Sequence, residues 1–166
     1  MAVALFMKIK CQTGIDVEVQ TDSLENFCLD GLDLHRALLE GVNIKGASFK
    51  KADIRNALFI GADAAGVNMS EARAMNAYFM NTKMRGSSFV NARPISALFD
   101  NADLTNADFS GADIGGARFI GARLHGAIML CKRLEQAKLN GAIYDRNTRW
   151  PLNFNPETSG AILDEK

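Results

Sequence analysis

The stretch Ala97–Met129, ALFDNADLTNADFSGADIGGARFIGARLHGAIM, decides the fold. It divides into units of five residues in which alanine comes first, a large apolar residue third, and asparagine or glycine usually fifth. We call the first residue of a unit the opener and the third residue the centre. The register continues without an insertion from the centre Leu24 to the centre Tyr144, which makes 25 units. Repetition this regular predicts a solenoid, in which each unit packs mainly on its neighbours.

The spacing within a unit predicts a corner. Opener and centre are two residues apart, so in an extended chain their side chains share one face. The next opener follows three residues after the centre, and only a corner returns it to the inside. The fourth and fifth residues of the unit form that corner, and the fifth is most often Gly or Asn, which tolerate a positive φ. Three centres, Ala64, Ala74 and Pro94, depart from the large apolar pattern.

Two longer periods predict that four units complete one turn. The outward residue before the centre is apolar every twenty residues, at Leu38, Leu58, Tyr78 and Leu98. Phenylalanine centres occupy only alternate units, and therefore two opposite sides of a four-unit ring. They are Phe49, Phe59, Phe79, Phe89, Phe99, Phe109 and Phe119.

The motif Ala-(Asp/Asn)-(Leu/Phe)-x-x over residues 22–146 resembles the pentapeptide-repeat family. The resemblance implies an all-β fold, a right-handed quadrilateral β-helix with four pentapeptides per coil and about six coils. The tail Tyr144-Asp145-Arg146-Asn147-Thr148-Arg149-Trp150-Pro151 is similar to tails that follow the repeats in many bacterial members, especially cyanobacterial ones.

The ends of a solenoid need covers, because they expose core and unpaired backbone. We divide the chain into N-terminal cap strands (1–21), the β-helix (22–146) and a C-terminal capping tail (147–166). Residues 7–11 and 15–19 are expected as strands, and Trp150 and Phe154 as an aromatic lid on the last coil. Lys132 falls at an inward opener position, so we expect the final coil to be distorted there.

The sequence shows no arrangement of residues that is typical of a catalytic site. We interpret His35 and His125 as solvated surface residues four to five coils apart, too far to share a metal ion or act as an acid–base pair. No glycine-rich phosphate loop is present. We therefore predict no catalytic residue, no metal and no cofactor. Three cysteines indicate a reducing compartment, and a cytoplasmic location is expected. The sequence leaves open whether Cys11 and Cys28 form a disulfide.

The charge balance gives no reason to expect direct nucleic-acid binding, because 19 basic residues match 19 acidic ones. No apolar run approaches the ~20 residues of a membrane span. Charged residues recur every twenty residues, and we interpret these ladders as mutual neutralisation on solvated walls. One ladder is Asp33, Asp53, Arg73, Arg93, Asp113 and Arg133, and another is Asp63, Lys83, Asp103 and Arg123.

One wall carries apolar side chains that the fold does not require outside. They would cover about 300–400 Å², near the level at which an exposed patch usually marks a contact. We predict a protein–protein interface there, with a partner or in a homodimer; cover by a terminal segment or an incidental patch are the alternatives. The residues of this apolar wall are Leu38, Leu58, Ile60, Met75, Tyr78, Met80, Ile95, Leu98 and Ile120.

The sequence thus favours a non-enzymatic structural or interaction scaffold that works through the apolar wall. The alternative is a DNA mimic that binds or inhibits a DNA gyrase-type topoisomerase, the best-understood role in the family that the repeat resembles. Mimicry needs an acidic rod that replaces phosphate charge. This chain has a net charge of zero and alternates charge signs along its walls.

Overall fold

The computed structural model describes residues 5–165; residues 1–4 and 166, where the predicted N-terminal cap begins and the tail ends, lie outside the described residues. Between the elements near the two ends, the described chain is built from single parallel β-bridges. Within residues 5–165, no helix is long and apolar enough to cross a membrane. The strands are β1 (Met7–Ile9), β2 (Val17–Val19), β3 (Ile143–Tyr144) and β4 (Ile162–Leu163), and two 3₁₀ helices span Leu134–Gln136 and Glu157–Ser159.

Most of the bridges join residues twenty apart, so four units complete one coil. Leu58 pairs with Tyr78, and Tyr78 pairs with Leu98. Phe79 N donates to Leu98 O at 2.7 Å, and Leu98 N donates to Ala77 O at 2.9 Å. Each coil therefore bonds to the coils on both sides, as buried backbone groups require. This spacing confirms the predicted period of four units.

A left-handed residue closes each unit. The fifth positions from Asn26 to Gly126 all have φ between 55° and 70°. The next opener then donates to the carbonyl of the preceding centre, as Ala102 N does to Phe99 O at 3.0 Å. The predicted corner is therefore confirmed. Four corner residues are neither Gly nor Asn, although this conformation costs such residues ~1–2 kcal/mol: Arg36, Lys51, Glu71 and Ser96.

Openers and centres fill the inside of the coils. The phenylalanine centres form two columns, as the alternate units predicted. Phe79, Phe99 and Phe119 stack with ring centroids 4.8–4.9 Å apart, and Phe89 stacks on Phe109 at 4.8 Å. Edge-to-face contacts at 5.4–5.7 Å join the two columns. Pairs of this kind add ~0.5–1.5 kcal/mol each beyond the burial of their area.

The register shifts by one residue in the last coil, which confirms the distortion expected at Lys132. Lys132, expected as an inward opener, is exposed and forms a bridge with Asp113 at a spacing of nineteen. Arg133 then takes a φ of 57° and precedes the 3₁₀ helix Leu134–Gln136, after which Lys138 restores the spacing of twenty. An ammonium group among the core rings would lose its hydration without a partner. The local distortion keeps that charge outside.

At the N-terminal end, β1 and β2 form an antiparallel hairpin. The chain after β1 continues antiparallel to the first coil. Gln12 N donates to Arg36 O at 3.0 Å, and Leu38 N donates to Lys10 O at 2.8 Å. The hairpin segment therefore supplies partners to backbone groups that the first coil would otherwise leave open.

At the C-terminal end, the tail packs against the last coil. The Trp150 ring meets the Tyr144 ring edge-on at a centroid distance of 5.5 Å, and the Phe154 ring stacks on Trp150 at 5.5 Å. Both Trp150 and Phe154 are partly buried against the core. Strand β4 pairs in parallel with β3 and so extends the ladder beyond the last coil.

Candidate functional site

The apolar wall lies on one face of the rod and the adjoining corner. Leu38, Leu58, Tyr78 and Leu98 follow one another along a single ladder of bridges, one coil apart. All nine residues of the wall are partly buried, and each keeps some surface exposed. Outward placement is imposed by the backbone, because each of these residues precedes or follows a buried centre. The partial exposure therefore leaves apolar surface on this wall, and the repeat does not require apolar side chains there.

An ion pair separates Ile120 from the rest of the wall. Arg118 continues the ladder after Leu98, and its Nη2 lies 2.5 Å from Asp100 Oδ2. Ile120 N donates to Asp100 Oδ1 at 3.2 Å. The continuous part of the apolar wall thus runs from Leu38 to Leu98.

The C-terminal tail bonds to residues 124–144, beyond the last residue of this wall. The N-terminal segment bonds to the backbone of Arg36 and Leu38. Within the described chain, neither terminal segment forms a hydrogen bond with residues 58–98, and the wall residues there remain partly exposed. Met75 and Ile95 adjoin this open part from the preceding face, just before its corner.

The second predicted ladder, from Asp63 to Arg123, forms completely, whereas the first is interrupted after Arg93, and neutralisation along both is uneven. Arg73 Nη1 lies 3.3 Å from Asp53 Oδ2, and Arg133 Nε lies 2.6 Å from Asp113 Oδ1. Arg93, which forms a bridge with Arg73, has no carboxylate within 4.0 Å among the described residues. The centre after Arg93 is Pro94, which has no N–H, and no bridge joins Arg93 to Asp113.

The second ladder likewise leaves a lysine unpaired. Lys83 lies between Asp63 and Asp103 in the ladder, but Asp63 pairs with Lys45 at 3.2 Å and Asp103 with Arg85 at 2.6 Å. Burial raises the pKa of Asp103, but hydrogen bonds from Thr105 and Arg85 outweigh it and hold that pKa below its ordinary value. Within residues 5–165, Lys83 has no carboxylate within 4.0 Å of its ammonium group.

The sequence analysis missed a cluster of basic residues, because the cluster follows the chain around one coil instead of recurring every twenty residues along a ladder. Residues 72–99 contain no Asp or Glu but carry four basic residues, Arg73, Lys83, Arg85 and Arg93. We call this segment the basic belt. Counting charges within one coil, instead of at a spacing of twenty, would have revealed it.

The histidines are more engaged than solvated surface residues, which corrects the sequence interpretation. His35 Nε2 lies 3.2 Å from Asn56 Nδ2. His125 Nε2 lies 3.1 Å from Asp164 Oδ2, and the histidine side chain is only 20% exposed. His125 therefore links a coil to the C-terminal tail.

The cysteines are free thiols in this structure, so the Cys11–Cys28 disulfide left open by the sequence is not formed. Burial raises the pKa of Cys131 to about 12, and burial with the nearby Asp16 and Asp33 raises the pKa of Cys11. Thiols with a raised pKa are poor nucleophiles. Within residues 5–165, no group of three His, Cys, Asp or Glu side chains is placed to hold a metal ion.

Comparison with known proteins identifies the repeat. Residues 32–109 match the model of the pentapeptide repeat region, and residues 95–126 match a model of eight pentapeptide repeats. The pentapeptide repeat protein alr5209 from Nostoc Pcc 7120 is 30% identical, with 70% of this chain and 84% of that chain covered and a TM-score of 0.31. The chain belongs to the pentapeptide-repeat family.

Two further solved structures share lower sequence identity with this pentapeptide-repeat protein. HetL from Nostoc sp. strain PCC 7120, described as involved in heterocyst differentiation regulation, is 20% identical, with 74% of this chain and 71% of that chain covered and a TM-score of 0.27. QnrB1, a plasmid-mediated fluoroquinolone resistance protein, is 18% identical, with 76% and 77% covered and a TM-score of 0.45. No curated protein sequence matches the chain.

Proposed function

We propose that this pentapeptide-repeat protein is a non-enzymatic interaction scaffold that binds a protein partner, or a second copy of itself, through the apolar wall. The observation that carries the proposal is the run from Leu38 to Leu98, where apolar side chains on one ladder are only partly buried. Contiguous apolar surface on a soluble rod is stabilised when another molecule covers it.

The finer architecture belongs to the same proposal. We infer a right-handed quadrilateral helix of about six coils, with residues 1–21 and 147–166 as caps around the repeat 22–146. The twenty-residue bridges and the partly buried Trp150 support this division. The odd number of cysteines supports a reducing, cytoplasmic location.

The alternative, a DNA mimic directed at a gyrase-type topoisomerase, requires an acidic surface along the rod. The basic belt interrupts any such surface at the middle coils, since residues 72–99 carry four cations and no carboxylate. The charge distribution therefore favours the scaffold.

The double variant Tyr78→Asp with Met80→Asp tests the scaffold. Two carboxylates in the middle of the wall should abolish association, because each would lose hydration on contact with an apolar partner surface. Light scattering after size exclusion measures self-association, and a pull-down measures partner binding.

Asn68→Asp with Ser70→Asp is the matched control, half a coil away on the face that carries Ser48 and Ser88. It adds the same charge and should leave association intact, while circular dichroism checks that both variants fold. A wall variant with unchanged mass and unchanged partner recovery would exclude the apolar wall as the interface.

A further inference from the structure

The apolar wall and the basic belt cross in the middle of the rod. In each coil the chain passes from the face with Arg73 and Arg93, to the face with Tyr78 and Leu98, to the face with Lys83. The apolar face is therefore bordered by cations on both sides. Met75 and Ile95 fill the corner between the first two faces.

The cations along these borders are all exposed. The side chains of Arg73 and Arg85 are 50% and 63% exposed, although each has a carboxylate partner. Arg93 and Lys83 have no carboxylate within 4.0 Å among the described residues. Arg73 and Arg93 are also bridge partners, and like charges directly opposite each other destabilise a sheet. An anionic ligand would relieve that repulsion.

We call the outward side chains of residues 72–99 on these three faces the crossing strip. We propose that the crossing strip binds an acidic segment of another protein. The apolar side chains of that segment cover Tyr78 and Leu98, and its carboxylates meet the bordering cations. The inference rests on the proposed function and adds the chemistry of the partner. Charge complementarity of this kind selects partners and raises association rates.

Other anionic partners fit the strip less well. A nucleic-acid backbone presents closely spaced phosphates, whereas here an apolar face separates Arg73 and Arg93 from Lys83 and Arg85. A membrane surface is engaged by side chains that insert ~5–10 Å into the lipid. Tyr78, Met80 and Leu98 are half-buried on the wall of a rod and do not protrude in that way. A polypeptide that alternates acidic and apolar residues matches both parts of the strip.

A random dodecapeptide display library, selected against the full chain at 50 mM salt, provides the test. We expect the selected peptides to combine Asp or Glu with Leu, Phe or Tyr. A synthetic peptide from that pool should bind ~2- to 30-fold more weakly to Lys83→Gln with Arg93→Gln, because exposed charge pairs contribute ~0.2–1 kcal/mol each. Its binding should also weaken between 50 and 500 mM salt.

The matched control is Arg123→Gln with Lys138→Gln, which removes the same charge from two other exposed cations outside the belt. Neither Arg123 nor Lys138 has a carboxylate within 4.0 Å among the described residues, and their replacement should leave the affinity unchanged. Thermal melts of both double variants check folding.

The outcomes separate the inference from the proposed function. Selected peptides without an acidic excess, but sensitive to Tyr78→Asp with Met80→Asp, would overturn the acidic partner and leave the wall as an interface. Peptides insensitive to that variant, or no enriched peptide at all, would overturn the acidic partner, and light scattering with the pull-down would then decide the proposed function. Binding of a DNA duplex or a phosphatidylserine vesicle that is lost with Lys83→Gln and Arg93→Gln would overturn the class of partner. A dimer that persists in 500 mM salt would assign the strip to a second copy.

Discussion

In the middle coils Phe99 stacks between Phe79 and Phe119, one coil to either side, whereas at the C-terminal end the Trp150 ring meets Tyr144 and its own tail neighbour Phe154. In the middle coils the same stacking of phenylalanine rings is repeated from coil to coil. The end has no next coil, so it relies on aromatic side chains and on the short β3–β4 pair. The difference shows that the repeat stabilises its interior through neighbours, while a boundary needs residues outside the repeat.

The largest expected effect comes from removing a ring in the middle. Phe99→Ala leaves a cavity between two stacked rings and should lower the free energy of unfolding by ~3–5 kcal/mol. The matched variant Phe154→Ala removes the same atoms from a half-buried site and should lower it by ~1 kcal/mol. Urea unfolding measures both. Equal losses would mean that the middle and the lid are packed equally tightly.

Deleting residues 147–166 removes the lid and β4. Trp150, Phe154 and Leu163 are partly buried, so their loss should lower stability by ~3 kcal/mol and the melting temperature by about 6–12 °C. Hydrogen exchange should show faster exchange in the last coil and unchanged protection at residues 57–99, because solenoid units act mainly on neighbours. An unchanged melting temperature would refute the capping role of the tail.

The smallest expected effect is a pH dependence at the C-terminal end. Burial raises the pKa of Asp145, but hydrogen bonds from Gly126 N, Asn147 and Thr148 outweigh it and lower that pKa from 3.8 to about 2. Because the folded pKa is the lower one, Asp145 stabilises the fold above about pH 4, and this contribution disappears as the pH falls to about 2.

The variant Asp145→Asn isolates that contribution. Thermal melts should place the variant below the wild type at pH 6, with the difference shrinking between about pH 4 and pH 2. Asp53, Asp103 and Asp113 also have lowered pKa values, but they are common to both proteins and cancel in the difference. Melting curves that differ by the same amount at every pH would contradict a role for the Asp145 charge.

The sequence was informative about the repeat because its signals are local. An opener and a centre two residues apart, followed by a corner, specify which side chains face inward at every unit. The same reasoning treated Asn and Gly as equivalent corner residues, and the structure separates them. A Cβ on Gly121 would lie 2.5 Å from Oδ1 of Asn101, so the Asn101 side chain fills the space at this corner and glycine fits there without a shift.

The candidate site was only partly within reach of the sequence. Periodicity placed Leu58, Tyr78 and Leu98 on one face, because outward residues twenty apart belong to one ladder. It did not show that Lys83 and Arg93 have no carboxylate within 4.0 Å among residues 5–165. Which carboxylate pairs with a lysine or arginine depends on how far side chains reach between neighbouring faces. Arg85, for example, forms the ion pair with Asp103, which neighbours Lys83 in the ladder.

By itself, therefore, the sequence determined the coil period, the inward and outward faces and the position of the apolar wall, since each follows from spacing along one chain. The tertiary structure alone decided that the register shifts at Lys132, that His125 meets Asp164, and that a belt of cations borders the apolar wall. These features arise from competition between coils for burial, hydration and charge partners, and such competition acts only between residues that the fold brings together.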